Sequence, residues 1–463
     1  VPPGKIGAPL LTARLKRDLE EVVGAAQVLT DPDLVAGYTT DWTGRFTGSS
    51  PAVVRPGTAE EVAGLVERCR RHGVALVLQG GNTGLSGGAV PIGGEVVCSL
   101  RRLTRLEVDR AAGQATVGAG VTVAALHEAA GEAGWAYGVD LGSRDSATVG
   151  GTVATNAGGI RVLRYGDTRA QLLGVSAALG SGLVVSHLSG LLKDNTGYHL
   201  ASLLCGSEGT LGVVTTARVR LVPRSPERVV ALLGFARPSD AVDATQALRR
   251  ELRSLSAAEL FFEAGMELVR AQFGLPDPLG RPCAAYLLVE ASDDRDPTAE
   301  LADAVGSLGG VLAAAVATDG ARAAELWRYR EGHTEAINGR GAPHKLDISV
   351  PLGAVAELVE RAPVVVAGVA PDAEVWLFGH AADGNVHVNV TGVDPADEEV
   401  DDAVFRLAAS LGGSVSAEHG IGTAKRRWLS LGRSPDEIAA FGALKSAFDP
   451  DCVLNPEVLL PPR

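Results

Sequence analysis

His380 and His387 lie on either side of Asp383-Gly384, a dipeptide preferred in two-residue hairpin turns. A hairpin closed there pairs 382 with 385 and 380 with 387, so the imidazoles face each other with Cβ atoms ~4.5–5.5 Å apart. Val386, Val388 and Val390 then share one face, and Asn385, His387 and Asn389 the other. Two imidazoles at that separation can share a metal ion, or simply stack on a solvated sheet face. A third ligand can come from Ser416-Ala417-Glu418-His419-Gly420-Ile421-Gly422, where glycines let the chain bend toward a site. On spacing alone, either Glu418 or His419 could serve. His, His and Glu with one open position is a common catalytic zinc set, and iron or manganese accepts the same ligand types.

A second chemistry is written in glycine. Gly80-Gly81-Asn82-Thr83-Gly84-Leu85-Ser86-Gly87-Gly88 holds five glycines in nine residues. Such a run costs entropy on folding, so something must need the bare backbone. Successive N–H groups in such loops converge on anions. The loop is not a P-loop, because Gly88 is followed by Ala89, and its glycine spacing is wrong for the Rossmann fingerprint. Two more small-residue segments follow, Gly150 to Gly159 and Gly206 to Gly212. Together they suit a long, thin, phosphate-bearing ligand threaded between backbones, which is the shape of a dinucleotide.

Several elements must position these residues. Ala52-Val53-Val54 reads as a strand, and Thr58 with Glu61 as a capping box opening a helix with the apolar stripe Val62, Leu65, Val66 and Cys69. Gly73 stops that helix, and a strand over 74–78 delivers the chain into the first glycine loop. Gln171 to Leu192 lacks charged residues but is broken by Gly180-Ser181-Gly182, so it reads as two buried strands about a turn rather than a membrane span. Leu326 to Thr334 reads as helix, with Arg330 and Thr334 on one face at i, i+4. Lys345 to Val350 alternates as a strand, with Lys345 pointing away from its apolar face. Taken alone, Arg330 and Lys345 read as solvated surface charges.

Gln79-Gly80-Gly81-Asn82-Thr83-Gly84, the run Gly151 to Gly159, and Lys193-Asp194-Asn195-Thr196-Gly197-Tyr198 resemble the FAD domain of vanillyl-alcohol-oxidase (PCMH-type) flavoproteins. Within these, the chain is most similar to the FAD-linked D-2-hydroxyacid dehydrogenases, the D-2-hydroxyglutarate and D-lactate dehydrogenase group, over residues 35–460. The resemblance implies an α+β fold. A PCMH-type FAD-binding domain of two α+β subdomains would be followed by a substrate domain with an antiparallel sheet covered by helices, and by a C-terminal segment returning to the FAD domain. It implies noncovalent FAD, with Gly80, Gly81, Asn82, Thr83, Gly84 and Gly87 at the pyrophosphate. Asp140, Ser143, Gly150, Gly151, Thr152, Thr155, Asn156 and Gly158 would line the adenosine and flavin portions with Glu208 and Gly209, and Asn455 would lie near the cofactor. It further implies Zn2+ on His380, His387 and Glu418, His419 as general base, and substrate contacts from Arg330, Thr334, Lys345 and Asn389. The expected reaction is oxidation of a D-2-hydroxy acid, D-2-hydroxyglutarate first and D-lactate or glycolate as alternatives, with electrons passed to a flavoprotein carrier or a quinone.

Composition narrows the classes. The 463 residues suggest two or three domains. The expected bounds are an N-terminal helical segment 1–50, an FAD-binding domain 51–223, a substrate and metal domain 224–430 and a C-terminal segment 431–463; Pro223 to Pro226 marks the change of pattern. A net charge of −13 argues against a nucleic-acid partner. The five cysteines are scattered without a CxxC, and no basic-then-apolar signal pattern or transmembrane segment is seen, so a reduced, cytoplasmic setting is expected. A homodimer is an admissible assembly. Two rival readings differ in class: a zinc hydrolase, which leaves the glycine segments unexplained, and a flavin-bearing electron-transfer subunit.

Overall fold

The computed structural model describes residues 11–461; the first ten residues of the expected N-terminal helical segment and the last two of the C-terminal one lie outside the described residues. The chain divides into two compact units. The first takes the chain up to Gly159, then Tyr165–Pro223, and everything from Glu418 on; the second takes Ile160–Arg164 and Arg224–Ala417. The return to the first unit therefore begins at Glu418, ahead of the 431 expected from sequence.

In the first unit, helix Ala59–His72 starts where Thr58 accepts the N–H of Glu61 at 3.2 Å and ends at Gly73 in the left-handed region, φ 61°. The capping box is displaced by one residue, because the Glu61 carboxylate takes the N–H of Gly57, at 2.6 Å, instead of that of Thr58. The buried stripe Val62, Leu65, Val66 and Cys69 meets Leu15, Leu19 and Val23 of helix Ala13–Val23. Parallel strands Val53–Val54, Val96–Ser99 and Leu76–Gln79 lie in that order, with Val28–Leu29 added antiparallel at the edge. A second, antiparallel sheet runs Leu106–Asp109, Gln114–Gly118, Gly212–Arg220, Leu172–Leu179, Val184–His187. Only the first of the two strands expected to be buried around the 180–182 turn is so. Its partner is the edge strand, and Leu183 and Val184 are 65% and 56% exposed.

The C-terminal segment is locked in by backbone and charge. Leu76 donates its N–H to Val453 O at 2.7 Å, and Asn455 donates to Leu76 O at 2.9 Å. Lys445, on helix Pro435–Phe448, is buried and sits 2.6 Å from the buried Asp449 carboxylate. The ammonium also donates to the carbonyls of Thr210 and Leu454, and Asp449 accepts the N–H groups of Val453 and Leu454. Removing one partner of such a pair strands the other charge, so Lys445→Met should destabilise the first unit by about 3–5 kcal/mol. The check is the denaturant midpoint for flavin release, which should fall.

The second unit is a seven-stranded antiparallel sheet in the order Val311–Ala317, Glu227–Phe235, Ala285–Asp293, Leu255–Phe262, Glu374–His380, Asn385–Thr391, His344–Ser349. Alternation sends Leu346, Ile348, Val386, Val388 and Val390 to a fully buried face, against which helices Val355–Val369 and Glu399–Ser410 pack. On the opposite face, helix Gly320–Asn338 covers Phe261, Tyr286, Leu288 and Phe378 through Trp327 and Tyr329. No helix among the described residues is long and apolar enough to cross a membrane.

Candidate active site

The first unit contains a cavity of about 290 Å³ walled by the three glycine segments. Gly80, Gly81, Asn82, Thr83 and Gly84 line one side, and Ser143, Gly150, Gly151, Thr152, Thr155 and Gly158 another. Glu208, Gly209 and Asn455 complete the set, and Glu418 and His419 stand on the same wall. Three residues assigned to the cofactor from sequence do not line it. Asp140 is buried and accepts from Arg144 at 2.8 Å, and Asn156 caps helix Val149–Thr155 while its side chain bonds Asp167 and the N–H of Arg169. Gly87 faces Phe46 and Thr423. Thr148 and Leu141 also line the cavity, within the 140–159 segment expected to line the cofactor.

The wall fits a pyrophosphate. Arg101, from outside the loop, donates to the carbonyls of Gly80 and Gly81 at 3.1 Å each. The N–H groups of Gly81, Asn82, Thr83 and Gly84 meet no protein acceptor among the described residues. Donors left over in a walled cavity need an anion or water. Gly81 must be bare because a Cβ there would stand 2.0 Å from the Ser146 carbonyl oxygen.

The same wall holds the segment that carries Glu418 and His419. Glu208, itself in the left-handed region at φ 51°, accepts the N–H groups of Ile421 and Gly422 at 2.8 and 2.7 Å. Burial raises its carboxyl above the ordinary glutamate range, against the pull of those two N–H groups and of Lys425. Ser86 Oγ donates toward the carbonyls of His419 and Gly420 at 3.1 and 3.2 Å, and Ser86 O accepts from the N–H groups of Thr423 and Ala424. Asn455 ties Glu208 O to Leu78 N–H. The glycine loop that shapes the cavity thus also anchors the Glu-His segment.

In the second unit, the register differs from the expected one. His380 pairs with Asn385 and Phe378 with His387, because the chain turns through four residues, Ala381 to Gly384, rather than two. A two-residue slip keeps every side chain on its face. The histidines are therefore diagonal neighbours, with ring centroids 5.4 Å apart. Each Nδ1 is turned to a buried carboxylate: His380 to Glu259 Oε1 at 2.7 Å, and His387 to Asp347 Oδ1 at 3.4 Å. That orientation leaves Nε2 as the nitrogen each ring can offer a metal, and such carboxylate–histidine pairing is typical of zinc sites. Two imidazole donors with this backing fit Zn2+, and by ligand type Fe or Mn. Glu418, the third residue implied by the resemblance, belongs to the first unit.

Arg330 is not the solvated charge expected of it. It is 8% exposed, with Nε 2.7 Å from Glu259 Oε2 and the guanidinium 4.5 Å from the Phe378 ring centroid. Its Nη1 and Nη2 meet no protein acceptor among the described residues. Burial alone would raise the Glu259 carboxyl, but the charges of His380 and Arg330 win and hold it below its usual value. His333, fully buried between Phe261 and Phe378, is pushed down to about 3 by burial and by Arg330, so it stays neutral and packs the Arg330 turn onto the sheet. Lys345 is half-buried and paired in the ladder with Asn389, which is buried; Thr334 is exposed on the helix one turn beyond Arg330. Glu259 and Asp347 were missed by sequence. Glu259 was hidden in the apolar strand Leu255–Phe262, and the one available signal was an acid on a strand with no other charge.

Comparisons with known proteins fit this geometry. Residues 224–459 match the family described as FAD linked oxidases, C-terminal domain, and residues 50–187 match the FAD binding domain family. A D-2-hydroxyglutarate dehydrogenase of Xanthomonas citri pv. viticola is 39% identical over 452 residues, 95% of each chain. The mitochondrial D-2-hydroxyglutarate dehydrogenase of Danio rerio is 35% identical over 446 residues, 94% of this chain and 83% of the relative. Among solved structures, p-cresol methylhydroxylase with substrate bound aligns with a TM-score of 0.77 at 18% identity, covering 97% of this chain and 96% of that one. A 4-ethylphenol oxidase from Gulosibacter chungangensis aligns at 0.76 and 19% identity, covering 99% of both. The structural likenesses carry the fold and the sequence likenesses the family: the chain belongs to the FAD-linked D-2-hydroxyacid dehydrogenases, on a PCMH-type FAD-binding fold.

Proposed function

We propose that this protein oxidises D-2-hydroxyglutarate to 2-oxoglutarate with noncovalent FAD and a zinc-class metal on His380, His387 and Glu418. The observation that carries the reading is Arg330, a buried guanidinium whose two terminal nitrogens have no protein acceptor among the described residues, on the same sheet face as His380 and His387. Such a group asks for an anion, and its planar fork suits a carboxylate. Lys345 stands two strands away from the Phe378 row over which Arg330 lies, an offset on the order of 10 Å. Two cations so separated favour a dicarboxylate over lactate or glycolate.

Bound FAD supplies the hydride acceptor, and a metal on the histidines would lower the pKa of the substrate hydroxyl. The rest falls to the chain. Arg330 holds one carboxylate by its fork, Lys345 neutralises the other, and Asn389 and Thr334 contribute polar contacts. His419 takes the hydroxyl proton as the C2–H leaves as hydride. Its segment is fixed by Ser86 and Glu208, which suits a base that must not wander. The two electrons would pass on from bound FAD to a flavoprotein carrier or a quinone.

The test is an anaerobic visible spectrum of the purified protein titrated with D-2-hydroxyglutarate, D-lactate and glycolate. Bleaching by the first, abolished by a chelator and restored by Zn2+, is the expected result. Bleaching by D-lactate alone would move the substrate, and a flavin inert to all three would leave the electron-transfer reading. His419→Ala should keep flavin and substrate affinity while flavin reduction slows by about 10²–10⁴-fold, the usual worth of a general base. Full-rate reduction would remove His419 from that role.

A further inference from the structure

Glu259 is the one charged residue of its strand. It lies mid-strand in Leu255–Phe262, 1% exposed, opposite Leu288 on one side and His380 on the other. Its two oxygens are divided between two partners: Oε1 lies 2.7 Å from His380 Nδ1, and Oε2 lies 2.7 Å from Arg330 Nε. We propose that Glu259 is a positioning residue shared by the metal and substrate halves of the site, setting the tautomer of His380 and aiming the fork of Arg330. The inference rests on the reading of His380 as a metal ligand and Arg330 as a carboxylate clamp.

The chemistry follows from donor and acceptor counts. A carboxylate only accepts, so His380 must place its proton on Nδ1 and present the Nε2 lone pair. The guanidinium, paired by charge with Glu259 Oε2 at 2.7 Å and lying against the Phe378 ring, presents Nη1 and Nη2 side by side to a ligand. Helix Gly320–Asn338 holds the backbone end of Arg330 in place through His333, whose Nδ1 lies 3.1 Å from Arg330 O. The side chain is thus fixed at both ends. One buried carboxylate carries both orientations.

Glutamine separates this role from a packing role. An amide offers one acceptor and one donor and carries no charge, so it cannot both accept from His380 and hold the Arg330 guanidinium by charge. Either the guanidinium loses its anchor, or His380 turns to the tautomer whose proton blocks Nε2. In the flavin-loaded full chain, Glu259→Gln should therefore bind Zn2+ about 10- to 100-fold more weakly by chelator competition. Its KM for D-2-hydroxyglutarate should rise by about tenfold, with flavin content unchanged, and Glu259→Asp should recover part of both. A merely structural Glu259 would lower thermal stability and move neither constant, and that result overturns the proposal. Zinc stoichiometry of the unmutated protein is measured first. An absence of bound zinc there would defeat the metal reading itself, and with it the proposed role toward His380. Should Glu259→Gln fail to fold, the paired replacement E259L/R330M leaves no stranded charge and no acceptor for His380. Zinc affinity must still fall in it, and an unchanged affinity overturns the proposal.

Discussion

Arg330→Lys should lower kcat/KM for D-2-hydroxyglutarate by about a hundredfold or more, mostly through KM, while the protein keeps its flavin. Lysine preserves the charge next to Glu259 but has no fork, so a carboxylate bound through two parallel hydrogen bonds would lose at least one and its alignment. Losing one member of a buried, hydrogen-bonded charge pair costs about 2–5 kcal/mol, a factor of roughly 30 to several thousand. Lysine is the milder choice; methionine would also strand Glu259, which is 1% exposed, and confuse stability with binding. Steady-state kinetics with the flavin spectrum as control decides it. An unchanged KM would mean that the two terminal nitrogens of Arg330 do not meet the substrate.

Gly81→Ala should yield a nearly colourless protein, with flavin occupancy down by about tenfold or more. The new Cβ would lie 2.0 Å from the Ser146 carbonyl oxygen, a backbone atom that cannot swing aside, so the loop must leave its place. Gly84→Ala is the informative companion, because its Cβ would meet nothing within 4 Å and any loss of flavin there would come from the cavity side alone. The ratio of flavin absorbance to protein absorbance reads both. A yellow Gly81→Ala protein would show that the loop tolerates the shift and that its closeness to Ser146 is incidental.

Much of this site was legible because its signals are local. A capping residue three positions before an acid, and a left-handed glycine after an apolar stripe, are enough to place helix 59–72. Glycine density marked the cavity walls, although it could not tell that Asp140 and Asn156 brace the wall from behind. The hairpin register failed for a tertiary reason. Asp383-Gly384 favours a two-residue turn, but Gly384 is pressed against the Val350 carbonyl, where a Cβ would stand 2.1 Å away, and the chain takes four residues to turn. Arg330 looked exposed because its partner is 71 positions upstream in a strand that reads as apolar. Lys445 and Asp449, four apart, resemble an ordinary surface pair, and nothing nearby in sequence reports that the carbonyls of Thr210 and Leu454 close around the ammonium. Partners distant in sequence decide burial, and burial decided what these charges do.

The order in which the chain is made gives the split first unit a further meaning. The glycine loops leave the ribosome early, but Lys445, Asp449 and Asn455, which lock Leu76, Leu78 and Glu208 into place, come only after the whole second unit has been synthesised. At about 5–20 residues per second, the nascent flavin half waits on the order of ten seconds or more with its closing segment missing. During that interval the surface around Leu76 later covered by Val453 and Leu454 stands open to chaperones and to misassociation. A chain whose synthesis halts before Lys445 would carry a fully synthesised second unit and a first unit without the contacts of Lys445, Asp449 and Asn455 to Thr210, Leu78 and Glu208.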